Sequence, residues 1–142
     1  MIVHELTHFF HRLNGFLVFQ PLYLGLYPSF DSARQAMKYY ISKPGFCDTP
    51  EAFSVRQREV KGLVKCSEIF EAMVYFHTED YEYEYNVELG LFGDEAMAYD
   101  TLSTFVHDNI RLFNIDHLIA EKIVNRCILG RREWDEGFSV SE

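Results

Sequence analysis

Five residues near the start of the chain, His4-Glu5-Leu6-Thr7-His8, have the types and spacing of a metal-dependent hydrolase. They match the His-Glu-x-x-His pattern of zinc enzymes. On a helix, residues four apart stack one above the other, so both imidazoles grip one zinc while Glu5 serves as general base to a metal-bound water. In helical projection Ile2, Val3, Leu6, Phe9, Phe10 and Leu13 share one face, and His4, His8 and His11 share the other. The surroundings favour a strand instead. The pattern fixes only three positions, and a third ligand has to be supplied downstream, where candidates such as Glu51, Glu59 and Glu68 have no recognisable context. Asn14-Gly15 can cap a helix, but it is also the strongest short hairpin signal, joining residues 3–12 to the apolar run at 16–27. On a strand, residues four apart are separated by roughly 13 Å, too far for one zinc at about 2.0–2.1 Å. Glu5 then points the opposite way. The expectation is a strand over 3–12, with no catalytic residue, no cofactor and no metal. His4, His8 and Glu5 are the residues of the alternative, a zinc-dependent hydrolase.

The remaining candidates are weaker. His77, His107 and His117 are isolated, and the chain has no Ser/His/Asp order and no phosphate-cradling glycine loop. Tyr81, Tyr83 and Tyr85 alternate with Glu82 and Glu84, the pattern of a half-buried strand. Stacking of bases on those rings is disfavoured, because Glu79, Asp80, Glu82, Glu84 and Glu88 repel phosphate. Asp94, Glu95 and Asp100 suit a helix start and its solvated face. Cys47, Cys66 and Cys127 form no Cys-x-x-Cys pair and are expected as buried thiols of a reducing compartment.

Composition narrows the class. With 142 residues, 48% hydrophobic and 16% aromatic, the chain can pack an interior. A net charge of −9 without long single-sign blocks argues against nucleic acid as partner. There is no basic leader followed by an apolar core and no run of about 18 apolar residues. The expectation is a cytoplasmic protein that does not bind membranes.

The elements that must position these residues repeat. Gly25-Leu26-Tyr27, a turn, and a helix capped by Asp31 or Ser32 and running to about Ser42 are echoed by Gly90-Leu91-Phe92, a turn, and a helix capped by Asp94 or Gly93 and reaching about His107. Ala33 and Ala98 each follow their glycine by eight residues. A strand is expected at 53–60, a short helix at 114–121 and a closing strand at 122–134. The fold class expected is α+β: two tandem ββαβ-like repeats packed about a pseudo-two-fold with a mainly antiparallel sheet. The first repeat spans 1–60, a helical connector 61–71, and the second repeat 72–142. Leu26, Ala33, Ala36, Met37, Leu91, Ala98, Leu102 and Phe105 are the expected core.

Leu24-Gly25-Leu26-Tyr27-Pro28-Ser29, the helix with Ala33 and Ala36, Pro44-Gly45-Phe46, Phe53-Ser54-Val55 and Trp134-Asp135-Glu136-Gly137-Phe138 together resemble a family of small uncharacterised bacterial proteins. Members begin with a strand carrying Thr-His or His-Ser, here Thr7-His8, cross a hairpin into a Gly-Leu-Tyr-x-Ser segment and a helix, and then pass a Pro-Gly-Phe turn. The resemblance covers most of 2–60 and, more loosely, 72–138. It implies the fold and places His4 to His8 on a strand, but it implies no activity. The functional expectation is a non-enzymatic interaction or regulatory domain whose partner is a protein, including a second copy of itself as a homodimer.

Overall fold

The computed structural model describes residues 1–115 and 117–139. Among the described residues six strands and three helices make it an α+β protein with a mixed sheet. Two compact units divide it: Ile2–Arg58 with the segment from Ile128 on, and Glu59–Cys127 with Met1. This differs from the expected split at 60–72, because the segment after Ile128 belongs with the first unit.

In the first unit β1 (Ile2–Leu13) and β2 (Phe16–Tyr27) form an antiparallel hairpin. Asn14 and Gly15 both have positive φ at its turn, the conformation a tight hairpin needs. Glu5 pairs with Leu26 and Leu6 with Gly25, and the register then slips before Thr7 pairs with Tyr23. A second slip falls between His8 and Phe10. Helix α1 (Phe30–Tyr40) is capped two or three residues earlier than expected. Ser29, not Asp31 or Ser32, is its N-cap, with Ser29 and Ser32 forming a reciprocal capping box. A 3-10 turn at Pro50–Ala52 leads to β3 (Phe53–Lys61), which lies on the other side of β1, in the order β2-β1-β3. The core of this unit is Leu6, Leu22, Leu24, Tyr27, Ala33, Ala36, Tyr40 and Phe46, with Met37 partly buried against it.

In the second unit β4 (Glu68–His77) and β5 (Glu84–Phe92) form another antiparallel hairpin. Glu71 pairs with Leu91 and Ala72 with Gly90, and the register slips before Met73 pairs with Glu88. Helix α2 (Glu95–Asp108) is capped by Asp94, whose carboxylate accepts from the Ala96 N–H at 2.7 Å. Short α3 (Ile110–Ile115) and β6 (Ile119–Ile128) follow, so the extra helix ends before 118 and the closing strand is shorter than expected. The strand order is β3-β5-β4-β6, where the end of β3 runs parallel to β5 through Val60↔Leu91 and Lys61↔Phe92. Phe70, Ala72, Val74, Phe92, Ala98 and Leu102 make this core, with Phe105 at its rim.

Three local expectations are corrected. Residues 61–71 are a turn and the start of β4, not a helix. Their apolar residues include Ile69 and Phe70, which serve a strand. Tyr81, Tyr83 and Tyr85 are exposed: 81–83 are a bend before β5 with no core to face, and Tyr85, at the start of β5, is half-exposed against Phe76. Cys47 and Cys66 are exposed, and only Cys127 is partly covered.

Candidate functional site

The zinc-like string lies on β1. Among the described residues no group of three or more His, Cys, Asp or Glu is arranged to hold a metal ion. Glu5, the base of the hydrolase alternative, is engaged otherwise. Arg56 Nη2 and Arg58 Nη1 donate to its two carboxylate oxygens at 2.9 and 2.7 Å. Its side chain and that of Arg58 are each about one-tenth exposed. His4 meets Phe30 edge-on at 6.3 Å, and His8 lies instead among Phe46 and Phe53, at 4.9 and 4.8 Å.

What the first unit assembles is a histidine–aromatic cluster. His8 is fully buried and His11 is 6% exposed. Three residues apart on a regular strand they would face opposite ways. The slip between His8 and Phe10 interrupts that alternation, and both rings meet Phe138, at 6.5 and 5.7 Å. The tautomer of His8 follows from its partners. Thr49 donates its hydroxyl to Phe10 O at 3.0 Å, which leaves that oxygen as an acceptor. His8 Nε2–H donates to it at 3.0 Å and to Thr49 O at 3.2 Å. Proton and donor are therefore on Nε2, and the buried Nδ1 is a bare lone pair with no hydrogen-bond partner. His11 Nδ1 is likewise buried without one.

Burial lowers the His8 pKa below its usual 6.5, with the nearby His11 acting the same way and the Thr49 hydrogen bond opposing. His8 is therefore neutral in the folded protein near pH 7. The unfolded chain takes up its proton below about pH 6.5, whereas the folded one resists. The stability conferred is complete above that pH and declines as pH falls toward the lower folded value, by at most about 1.4 kcal/mol per pH unit. Urea midpoints measured from pH 7.5 to pH 5 should fall, and His8→Gln should flatten the slope while lowering the midpoint at neutral pH.

The Pro-Gly-Phe and Trp-x-x-Gly-Phe segments, assigned to separate repeats in the sequence, meet at this cluster. Phe138 N–H donates to Pro44 O at 2.9 Å, and the Phe46 and Phe138 rings are 4.8 Å apart. Tyr39 Oη donates to Asp135 O at 2.9 Å, and the Tyr40 hydroxyl donates to Glu133 O. The Arg132 guanidinium stacks over the Tyr39 ring at 3.7 Å. Desolvation raises the Tyr40 pKa strongly and that of Tyr27 to about 12, so both hydroxyls remain donors. Against this cluster opens a cleft of about 410 Å³, lined by His11, Leu13, Val18, Gln20, Leu22, Trp134, Phe138 and Ser139. Trp134, Phe138 and His11 were not singled out as site residues from the sequence. The signal available was His11 next to a bulge-prone hairpin, but its company arrives from 120 residues away.

The second unit has a smaller counterpart. His77 is buried between Tyr75 and Tyr81, stacked at 5.1 and 4.1 Å, and its Nδ1–H donates to Thr78 O at 2.8 Å. Glu121 lies 3.7 Å from Nε2. His107 is exposed beside Asp108. No helix among the described residues is long and apolar enough to cross a membrane. No family model, curated protein or solved structure matches the chain, so its own geometry carries the functional argument.

Proposed function

We propose that this chain is a non-enzymatic interaction domain, built by tandem duplication of a ββαβ unit, that pairs with a second copy of itself through the open edge of β2. The observation that carries the reading is the character of residues 16–22. All of β2 lacks a charged side chain, in a chain whose net charge is −9. Phe16 and Phe19 are 75% and 74% exposed, and Phe9 and Leu17 are exposed beside them. Long apolar edge strands are templates for pairing, and proteins normally blunt them with charge. The segment after Ile128 hydrogen-bonds to β2 at Leu26 O and Leu24 O, from Gly130 N at 2.7 Å and Glu133 N at 3.4 Å. Phe16, Leu17 and Phe19 lie at the other end of the strand from these two bonds. Two copies meeting there in antiparallel fashion would bring apolar strands together and no like charges, whereas other faces of an acidic chain repel one another.

The duplication is supported by detail that composition would not produce. Each hairpin slips its register directly after the pair that holds Gly25 or Gly90, both at positive φ. Each helix is capped four residues after that glycine, by Ser29 or Asp94. Ala33 and Ala98, eight residues after it, are both fully buried. The contact of Pro44-Gly45-Phe46 with Gly137-Phe138 supports the resemblance to the small bacterial family, since the motifs that carry it pack as one piece.

Sedimentation equilibrium tests the pairing. The wild type should give twice the chain mass of 16.7 kDa, and Phe16→Ser/Phe19→Ser should be monomeric with an unchanged thermal midpoint, since both rings are exposed. A wild type that stays monomeric through the micromolar range, or a dimer indifferent to the double substitution, would remove the proposal.

A further inference from the structure

The cleft beside the histidine cluster shares Val18, Gln20 and Leu22 with β2 but neither Phe16 nor Phe19, and it has the composition of a ligand site. Its described lining contains Leu13, Val18, Leu22, Trp134 and Phe138, against the polar groups of His11, Gln20 and Ser139. None of these eight side chains carries a formal charge when His11 is neutral. An ionised ligand entering it would lose hydration and gain no counter-charge. Apolar walls with a few placed polar groups, at about 410 Å³, are typical of a small-molecule pocket. His11 supplies the second observation. It lines the cleft, is more than nine-tenths buried, and its Nδ1 has no hydrogen-bond partner. That nitrogen is closed to water-sized contact, so a ligand group recovers the cost of leaving it unpaired by drawing the His11 ring toward the cleft. A hydroxyl both donates and accepts, so it satisfies either tautomer of His11, and Gln20 offers an amide with the same versatility.

We propose that this cleft binds a small, uncharged aromatic or alicyclic molecule bearing a hydroxyl, with the ring against Trp134 and Phe138 and the hydroxyl directed to His11. Neutral phenols are the simplest members of the class. Edge-to-face contacts are already in use here, since Trp134 and Phe138 meet at 6.1 Å and 69° and His11 meets Phe138 at 74°. A flat ring extends that arrangement.

Trp134 is the only tryptophan of the chain, so its intrinsic fluorescence reports the cleft directly. Three matched probes separate the contributions: 4-propylphenol, propylbenzene without the hydroxyl, and 4-propylbenzoate with a full charge. The phenol should produce a saturable change in Trp134 emission, and each of the other two should bind at least about tenfold more weakly, the worth of one buried hydrogen bond. His11→Phe keeps the ring and should abolish the preference for phenol over propylbenzene. Should that variant fail to fold, the selectivity series on the wild type and intermolecular NOEs from 4-propylphenol to the Trp134 and Phe138 rings decide the matter. Linear, non-saturating emission changes, equal binding of phenol and benzoate, or NOEs only to residues outside the cleft would overturn the proposal. Running the series on Phe16→Ser/Phe19→Ser keeps it distinct from self-association, since a monomer should bind the phenol unchanged.

Discussion

Replacing Glu5 by alanine should cost about 3 kcal/mol of stability, the order found when one partner of a buried ion pair is removed. The loss comes from the two short charge-assisted bonds that Arg56 and Arg58 donate to the Glu5 carboxylate at 2.9 and 2.7 Å, the Arg58 side chain being only 10% exposed. Arg56 contributes less, because at 53% exposure water takes over its hydration. Urea denaturation at neutral pH measures it directly. Glu5→Gln should lose a similar amount, since the amide keeps the shape but not the charge. The zinc-hydrolase alternative expects another pattern: a general base removed from a solvent-filled site leaves the fold intact. A Glu5→Ala protein as stable as the wild type would contradict the ion-pair geometry.

Alanine at Gly137 should be the other severe substitution, at about 2–4 kcal/mol, combining strain at positive φ with overpacking. Gly137 has φ of +80°, and an added Cβ would lie 2.4 Å from Pro44 O. That carbonyl also accepts from Phe138 N–H, so it cannot retreat without losing the bond. Gly45 faces the same restriction from the other side, its Cβ position lying 2.6 Å from the Phe138 ring. Gly130 is the internal control. Its φ is +82° with nothing within 4 Å, so Gly130→Ala should show the backbone strain alone, about 1 kcal/mol. The difference between the two thermal midpoints isolates the close approach of the two segments. Equal effects would mean the contact contributes nothing. A larger effect of Gly137→Ala should be accompanied by a change in Trp134 emission, three residues away.

Much of the local structure was determined by the sequence itself. Asn14-Gly15 set the first hairpin, because few other pairs accept positive φ at both turn positions. It thereby placed His4 to His8 on a strand. Gly93-Asp94 before a helical stripe marked the start of α2 to within a residue, and Ala33, Ala98 and Leu102 were legible as core from the 3.6-residue period. These are consequences of nearest neighbours along the chain. The errors fell where periodicity and context disagree. Tyr81 to Tyr85 alternate as a strand should, yet 81–83 form a turn with no apolar partner to face. Leu63, Val64, Ile69 and Phe70 have no decisive period, and pairing with β5 drew the last two into β4.

The candidate site could not be found in this way. His8 and His11 share a neighbour through a register slip, and a slip depends on how β2 pairs with β1 rather than on either strand alone. Thr49, which fixes the His8 tautomer, is 41 residues distant. Trp134 and Phe138 arrive only because the segment after Ile128 returns to the first unit. Side-chain types along a chain state what each residue can donate, accept or bury. Which of them share one cleft is decided by the long-range contacts of the folded state, which bring residues from distant parts of the chain into one site.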